Sequence, residues 1–277
     1  MWRDFRNTKP TVADFAMMQG LWRNHPRYDK CIGHWLMNEG GGLTVYDLSG
    51  NGNHGTLTGP TWGLGQVGYE TVFDGTDAYI RTTDDFFDMG TSDFTISAFV
   101  KASSTQVSTL ASIVYKGATG TGSAAFGYWL AIDASGFFDV WIGNGTTREN
   151  HELSGINLRD DTYHRITCVI RRGVSGDIYL DNNAVDSSAS ALTGSIDSGF
   201  NMDFGARGTG LIDLDFTGSI ADIRIYKRAL AEYEVRSLYY HPYLEFEWAS
   251  ALLRQPYFSV PTLGTAAPAF YYRMLLS

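Results

Sequence analysis

Along the middle of the chain, apolar side chains recur at every second position in short runs separated by Gly, Asp, Asn and Ser. FTISAFV is the clearest run: Phe94, Ile96, Ala98 and Val100 fall on one face, Thr95, Ser97 and Phe99 on the other. That period predicts a strand with its first set turned to a core. From Cys31 onward similar runs follow one another (CIGHWLMN, LASIVYKG, GYWLAID, YHRITCVIRR, IADIRIYKR) with turn residues between them. Regular spacing of this kind predicts an all-β fold, a two-sheet antiparallel jelly-roll sandwich. In GDIYLDNNAV, Ile178 and Leu180 alternate with Tyr179, and Asp181-Asn182-Asn183 tolerates left-handed backbone, so a hairpin is expected there.

The ends have a different texture. Thr11 and Asp14 open a stretch in which Val12, Phe15, Met18 and Trp22 recur at helical spacing, predicting a short amphipathic helix. RALAEYEVRSLYY predicts one short C-terminal helix that packs through Val235, Leu238 and Tyr239. Beyond it, Leu244, Phe246 and Trp248 alternate with Glu245 and Glu247, which predicts an extended segment with one apolar and one charged face. The resulting organisation is an N-terminal arm with a short helix (1–30), a sandwich (31–241) and an aromatic C-terminal arm (242–277). Exposed apolar groups promote association, since burying each is worth roughly 1.5–3 kcal/mol. Phe15, Trp22, Leu244, Phe246, Trp248, Tyr257, Phe258, Phe270, Tyr271 and Tyr272 are therefore expected to contact the domain or a neighbouring subunit.

Composition narrows the function classes. Hydrophobic residues at 44% against 18% charged provide for a packed interior, and 31 Gly with 16 each of Tyr and Phe favour aromatic strands joined by glycine turns. A net charge of −9 opposes a nucleic-acid partner, which needs a concentrated Lys/Arg face. Two cysteines, Cys31 and Cys168, are too few for a disulfide scaffold; two buried free thiols are expected, with one long-range disulfide as the alternative. Neither a signal peptide nor a membrane span is evident.

Three stretches in order, GHWLMNEGGGLTVYDLSGNGNHGTL with VFDGTDAYI, then YHRITCVIRRGVSGDIYLDNNAV, then FTGSIADIRIYKRALAEYEVRSLY, resemble the laminin-G-like branch of the concanavalin A-like lectin/glucanase superfamily. They span about residues 31–241. The resemblance implies a structural Ca2+ held by the loop residues Asp47, Asn51 and Asn53 together with Asp222 from the last strand; oxygen donors of this kind suit calcium. The position beside Asp222 where relatives carry a second acid is Ala221. The loop also mimics half an EF-hand, but Thr58 stands where a bidentate Glu is required. A glycine-rich turn with Asx hydrogen bonds and no ion is the alternative.

Glycoside hydrolysis requires two carboxylates flanking a sugar linkage. The alternating Glu-Asp-Glu strand triplet of the superfamily's glucanases is absent from the sequence, and no nucleophile or phosphate-loop motif stands out, so a non-enzymatic protein is expected. Trp62, Tyr79, Trp129 and Trp141 are candidate glycan contacts, each with an alternative role in core packing. The organisation resembles proteins of bacterial viruses. It implies a virion surface protein of the capsid-decoration or fibre type, oligomeric, bound through its arms to other virion proteins and capable of glycan adhesion. A free-standing carbohydrate-binding or adhesion module is the alternative, with a glycoside hydrolase behind it.

Overall fold

The computed structural model describes residues 9–82, 85–106, 108–117, 126–208 and 212–253. Helix α1 (Val12–Met18) leads through two 3-10 turns, Leu21–Asn24 and Pro26–Tyr28, into β1 (Cys31–Trp35). Then come β2 (Thr44–Val45), β3 (Gly55–Thr58), β4 (Thr61–Gly65), β5 (Gly68–Asp74) and β6 (Tyr79–Arg81). The long central strands are β7 (Phe94–Ala102), β8 (Leu110–Gly117), β9 (Phe126–Asp133), β10 (Phe138–Asn144), β11 (Arg148–Leu153) and β12 (Tyr163–Arg171). They are followed by β13 (Ser175–Leu180), β14 (Asn183–Ala189), β15 (Met202–Phe204), β16 (Arg207–Gly208), β17 (Ile212–Asp213) and β18 (Thr217–Tyr226). Helices α2 (Glu232–Tyr240) and α3 (Leu244–Leu253) close the described chain.

Two antiparallel sheets form the sandwich expected from the alternating pattern. The first runs β14-β13-β12-β7-β18-β5-β4, with β1 also paired to β18; the second runs β11-β10-β9-β8-β15-β6-β3-β2. Between them lies the main core, to which β7 contributes the predicted Phe94, Ile96, Ala98 and Val100, all 2% exposed or less. The β13–β14 hairpin turns at Asp181 and Asn182, whose φ of 48° and 79° lie in the left-handed region that Asp and Asn tolerate.

The first sheet's outer face is covered as well, which explains why Thr95 and Ser97 on the polar side of β7 are buried. One patch packs Val235 and Leu238 of α2 against Val169, Tyr179 and Tyr226. Another gathers Met18, Leu21, Trp22, Leu36, Leu48, Tyr243, Phe246 and Ala249, with Phe15 and Trp248 against them. Phe15, Trp22 and Phe246 meet with ring centroids 5.3–5.7 Å apart. Within the described residues, both predicted arms therefore lie on their own domain.

Two local expectations are corrected. Residues 244–248 are helical, not extended: five alternating residues mimic a strand, but Tyr243, Phe246, Ala249 and Leu252 continue at three-residue spacing and form the buried face. Glu245, expected in water, is wholly buried because Arg27 and Arg224 meet it there. Tyr239 is 40% exposed; Val235 and Leu238 alone fill the space beneath α2. Tyr257, Phe258, Phe270, Tyr271 and Tyr272 lie outside the described residues. No helix among the described residues is long and apolar enough to cross a membrane.

Candidate functional site

The loop DLSGNGNHGTL directs hydrogen-bond donors, rather than lone pairs, at its carboxylate. Asp47 Oδ1 accepts from the backbone N–H groups of His34 (3.1 Å) and Ser49 (2.8 Å). Its Oδ2 accepts from the Ser49 hydroxyl (2.8 Å) and the Asn53 N–H (3.0 Å). Asn51 Nδ2 donates to the Ile32 carbonyl, and the Asn53 carbonyl accepts from Trp35 Nε1. Asp47 thus organises an Asx-type turn.

Asp222 belongs to a different group of contacts. It occupies a β-bulge where β18 shifts register against β7, with φ 46°. The bulge turns its side chain toward His34 Nε2 (2.9 Å), Arg165 Nη2 (2.7 Å) and Arg224 Nε (3.0 Å). Burial would raise this carboxyl's pKa, but the Arg224 and Arg165 guanidinium groups hold it well below the usual carboxylate range. Burial and the neighbouring Arg224 lower the His34 pKa, so the ring is neutral; its Nδ1 faces the Tyr28 hydroxyl at 2.5 Å. A donor set whose oxygens already face N–H groups and two guanidinium charges does not fit calcium. Among the described residues, no group of three or more His, Cys, Asp or Glu is arranged to hold a metal.

The second sheet presents a different surface. On β8, β9 and β10 the core takes Val114, Leu130 and Val140, so the intervening Tyr115, Trp129 and Trp141 turn to the other face of the sheet, where Tyr115 is 5% exposed and Trp129 and Trp141 are half-buried. Register then aligns them: Asn150 pairs with Trp141, Trp141 with Trp129, Trp129 with Tyr115, Tyr115 with Asp203, Asp203 with Arg81, and Arg81 with Thr56. One row of side chains crosses seven strands, each step about 4.8 Å. Trp129 and Tyr115 meet edge to face at 5.8 Å, and Trp129 Nε1 donates to Ser112 Oγ at 2.8 Å. Arg81 grips Asp203 with two bonds of 2.8 and 3.0 Å, and its guanidinium lies 4.9 Å from the Tyr79 ring centroid.

Polar groups at one end of the row are not all satisfied. Trp141 Nε1 and Asn150 Oδ1, on directly paired residues, are shielded from solvent and have no hydrogen-bond partner. Asn150 Nδ2 donates to Asp139 Oδ1 (3.0 Å), and burial pushes the Asp139 carboxyl up to about 6 against that bond. The exposed Arg148 guanidinium covers the Trp141 ring, its Cζ 4.1 Å from the centroid.

Of the four aromatic residues singled out in the sequence, Trp129 and Trp141 are neighbours in this row, and Tyr79 stands beside Arg81. Trp62 lies in the other sheet, half-buried against the main core with Nε1 bonded to the Gly42 carbonyl. Tyr115, Arg81, Asp203, Asn150 and Asp139 were missed. Period-two alternation could have put Asp139 and Trp141 on one face, but only strand order brings the other strands alongside.

Comparison with known proteins agrees with this architecture. The family model Laminin_G_3, described as concanavalin A-like lectin/glucanases superfamily, matches residues 74–236. No curated protein matches the chain in sequence. Among solved structures, the binding domain of Paraclostridial Mosquitocidal Protein 1 aligns with TM-score 0.63 and 16% identity, covering 77% of this chain and 52% of that one. Domain 4 of AbnA, a GH43 extracellular arabinanase from Geobacillus stearothermophilus, solved with arabinotriose, aligns with TM-score 0.57 and 19% identity, covering 76% of this chain and 98% of that one. The botulinum neurotoxin serotype D ligand binding domain, solved with N-acetylneuraminic acid, aligns with TM-score 0.60 and 13% identity over 78% and 52%. The chain thus spans about half the length of the two toxin domains. Its sheet order, its core pattern and a family match over more than half its length converge: the chain belongs to the laminin-G-like family of the concanavalin A-like lectin/glucanases superfamily.

Proposed function

We propose that this chain is a non-catalytic carbohydrate-binding module whose ligand lies over the half-buried Trp129 and Trp141 of this row. The observation that carries this reading is the end of the row. There, an indole ring capable of stacking on a sugar's C–H face adjoins an N–H donor and a C=O acceptor that the protein leaves unmatched. A pair of vicinal hydroxyls supplies one acceptor and one donor, which is the complement required. Arg148 serves as a removable cover: an exposed side chain resting on the ring that the ligand displaces. Sugar-bound structures of two neighbours with the same fold support the ligand class.

The test is isothermal titration against glycans selected on an array. Binding survives chelator, is lost in Trp141→Ala and weakens at least tenfold in Trp129→Ala, while Arg148→Ala tightens it. Silence across the array, or binding indifferent to Trp141, refutes the proposal. The virion reading drew on aromatic arms free to grip a partner. Phe15, Trp22, Phe246 and Trp248 are occupied within the domain, which removes their support for it.

A further inference from the structure

The charges around Trp141 are unevenly placed. Along β10, Asp139 stands two residues from Trp141 on the same face, and register sets Glu152 opposite Asp139, Asn150 opposite Trp141 and Arg148 opposite Gly143. The indole therefore has carboxylates on one side and a guanidinium on the other. Asp139 is 4% exposed, and its carboxylate takes one hydrogen bond, from Asn150 Nδ2 at 3.0 Å. Burial raises its pKa, and the charges that act on it, Glu152 and Asp133, are both negative and raise it further. Among the described residues neither Asp139 nor Glu152 forms an ion pair with a Lys or Arg.

Arg148 Cζ, 4.1 Å from the Trp141 centroid on an exposed side chain, shows that this ring accepts a cation. A neutral sugar displacing Arg148 gives up the cation–ring contact, whereas an ammonium restores it. Hydrogen bonding points the same way. Asn150 Oδ1 lacks a donor and Trp141 Nε1 lacks an acceptor. In a 2-amino-3-hydroxy sugar, the ammonium donates to Asn150 Oδ1 and to the singly bonded carboxylate of Asp139, while the adjacent hydroxyl oxygen accepts from Trp141 Nε1. A metal ion is a poorer fit, because no group of three or more His, Cys, Asp or Glu among the described residues is arranged to hold one. The net charge of −9 favours the approach of a polycation.

We propose that the Trp141 site selects cationic amino sugars, 2-amino-2-deoxyhexose residues whose ammonium lies beside the indole between Asn150 and the Asp139–Glu152 pair. This preference rests on the carbohydrate reading of the row.

Isothermal titration of the full chain at about pH 6 and low salt tests it, comparing β-1,4-linked tetramers of glucosamine, N-acetylglucosamine and glucose, which share a backbone and differ at C2. The glucosamine tetramer binds at least tenfold tighter than the other two, and added salt narrows the gap. Asp139→Asn, and separately Glu152→Gln at an exposed position, each cut the ratio below threefold, with the fold checked by circular dichroism. Equal affinity for the three tetramers, lost in Trp141→Ala, overturns the amino-sugar preference and leaves the carbohydrate reading standing. A preference kept in either acid variant, no binding of the glucosamine tetramer, or equal binding of a tetralysine peptide with the same dependence on Asp139 also overturns it. Glucosamine binding indifferent to Trp141→Ala overturns both readings.

Discussion

Glu245→Gln removes one of the two carboxylates from a buried cluster that also contains Asp222 and the guanidinium groups of Arg27, Arg165 and Arg224. Glu245 accepts from Arg27 at 2.9 Å and sits 2.8 Å from Arg224, and both partners are nearly inaccessible to water. Burial would raise its pKa, but Arg224 and Arg27 hold it below the normal range, so it is ionised at neutral pH. The variant leaves three cations facing one anion in a site without solvent. Breaking a buried pair in this way costs about 3–5 kcal/mol, a large part of the 5–15 kcal/mol that holds a typical domain together. Urea unfolding followed by tryptophan fluorescence reads it, since Trp22 and Trp248 lie in the helical patch that Glu245 helps to anchor. A double-mutant cycle with Arg27→Met should return more than 1 kcal/mol of coupling. Because the folded pKa is depressed, the Glu245 contribution is present above about pH 4.5 and is lost as pH falls further. Glu245→Gln should flatten that acid limb. A midpoint within 1 kcal/mol of wild type, or an unchanged limb, would refute the cluster as the anchor of α3.

Other consequences can be measured with the same apparatus. Phe246→Ala, deleting a fully buried ring of the α1–α3 patch, should cost about 3–5 kcal/mol in urea unfolding. Burial lowers the His25 pKa to about 4, so the native state resists its protonation and stability falls as pH drops from 6.5 toward 4. His25→Asn, which keeps an acceptor for the Arg27 N–H, should remove up to about 3 kcal/mol of that fall, less where solvent screens the ring. Asp139 has the opposite sign: its carboxyl is pushed up to about 6, so its ionisation destabilises the fold as pH rises from 3.8 through 6. Asp139→Asn should be about 1–3 kcal/mol more stable than wild type at pH 7.5 and equal to it near pH 3.5. Burial raises the thiol pKa of both cysteines, Cys168 to about 12, so neither should react with a thiol reagent until urea unfolds the chain.

The sandwich was legible because its information is local. Alternation in β7 and a left-handed Asp-Asn turn are written in consecutive residues, and the same local logic identified α1 from Thr11, Asp14 and the spacing of Phe15 and Met18. The terminal helices' destination was not. Whether Phe246 grips a partner or its own domain depends on Trp22 and Leu36 being adjacent in space, and nothing in residues 244–248 encodes that. The partners of the polar residues were hidden for a related reason. Asp47 and Asp222 look like oxygen ligands in isolation; only the folded chain shows backbone N–H groups converging on one and two arginines and a histidine clustered about the other. Trp129 and Trp141 were recognisable as candidates, whereas their partners Tyr115, Asn150 and Arg81 required strand order.

That strand order separates what the row displays from what keeps it straight. Its alignment is inherited from the inward residues, Val114, Leu130 and Val140, because slipping any one strand by a single residue would expose its core side chains to water. The outward positions carry no such obligation. Replacing the half-buried Trp129 or Trp141 would change what this face displays without moving the backbone, making it an interchangeable keyboard mounted on a fixed frame.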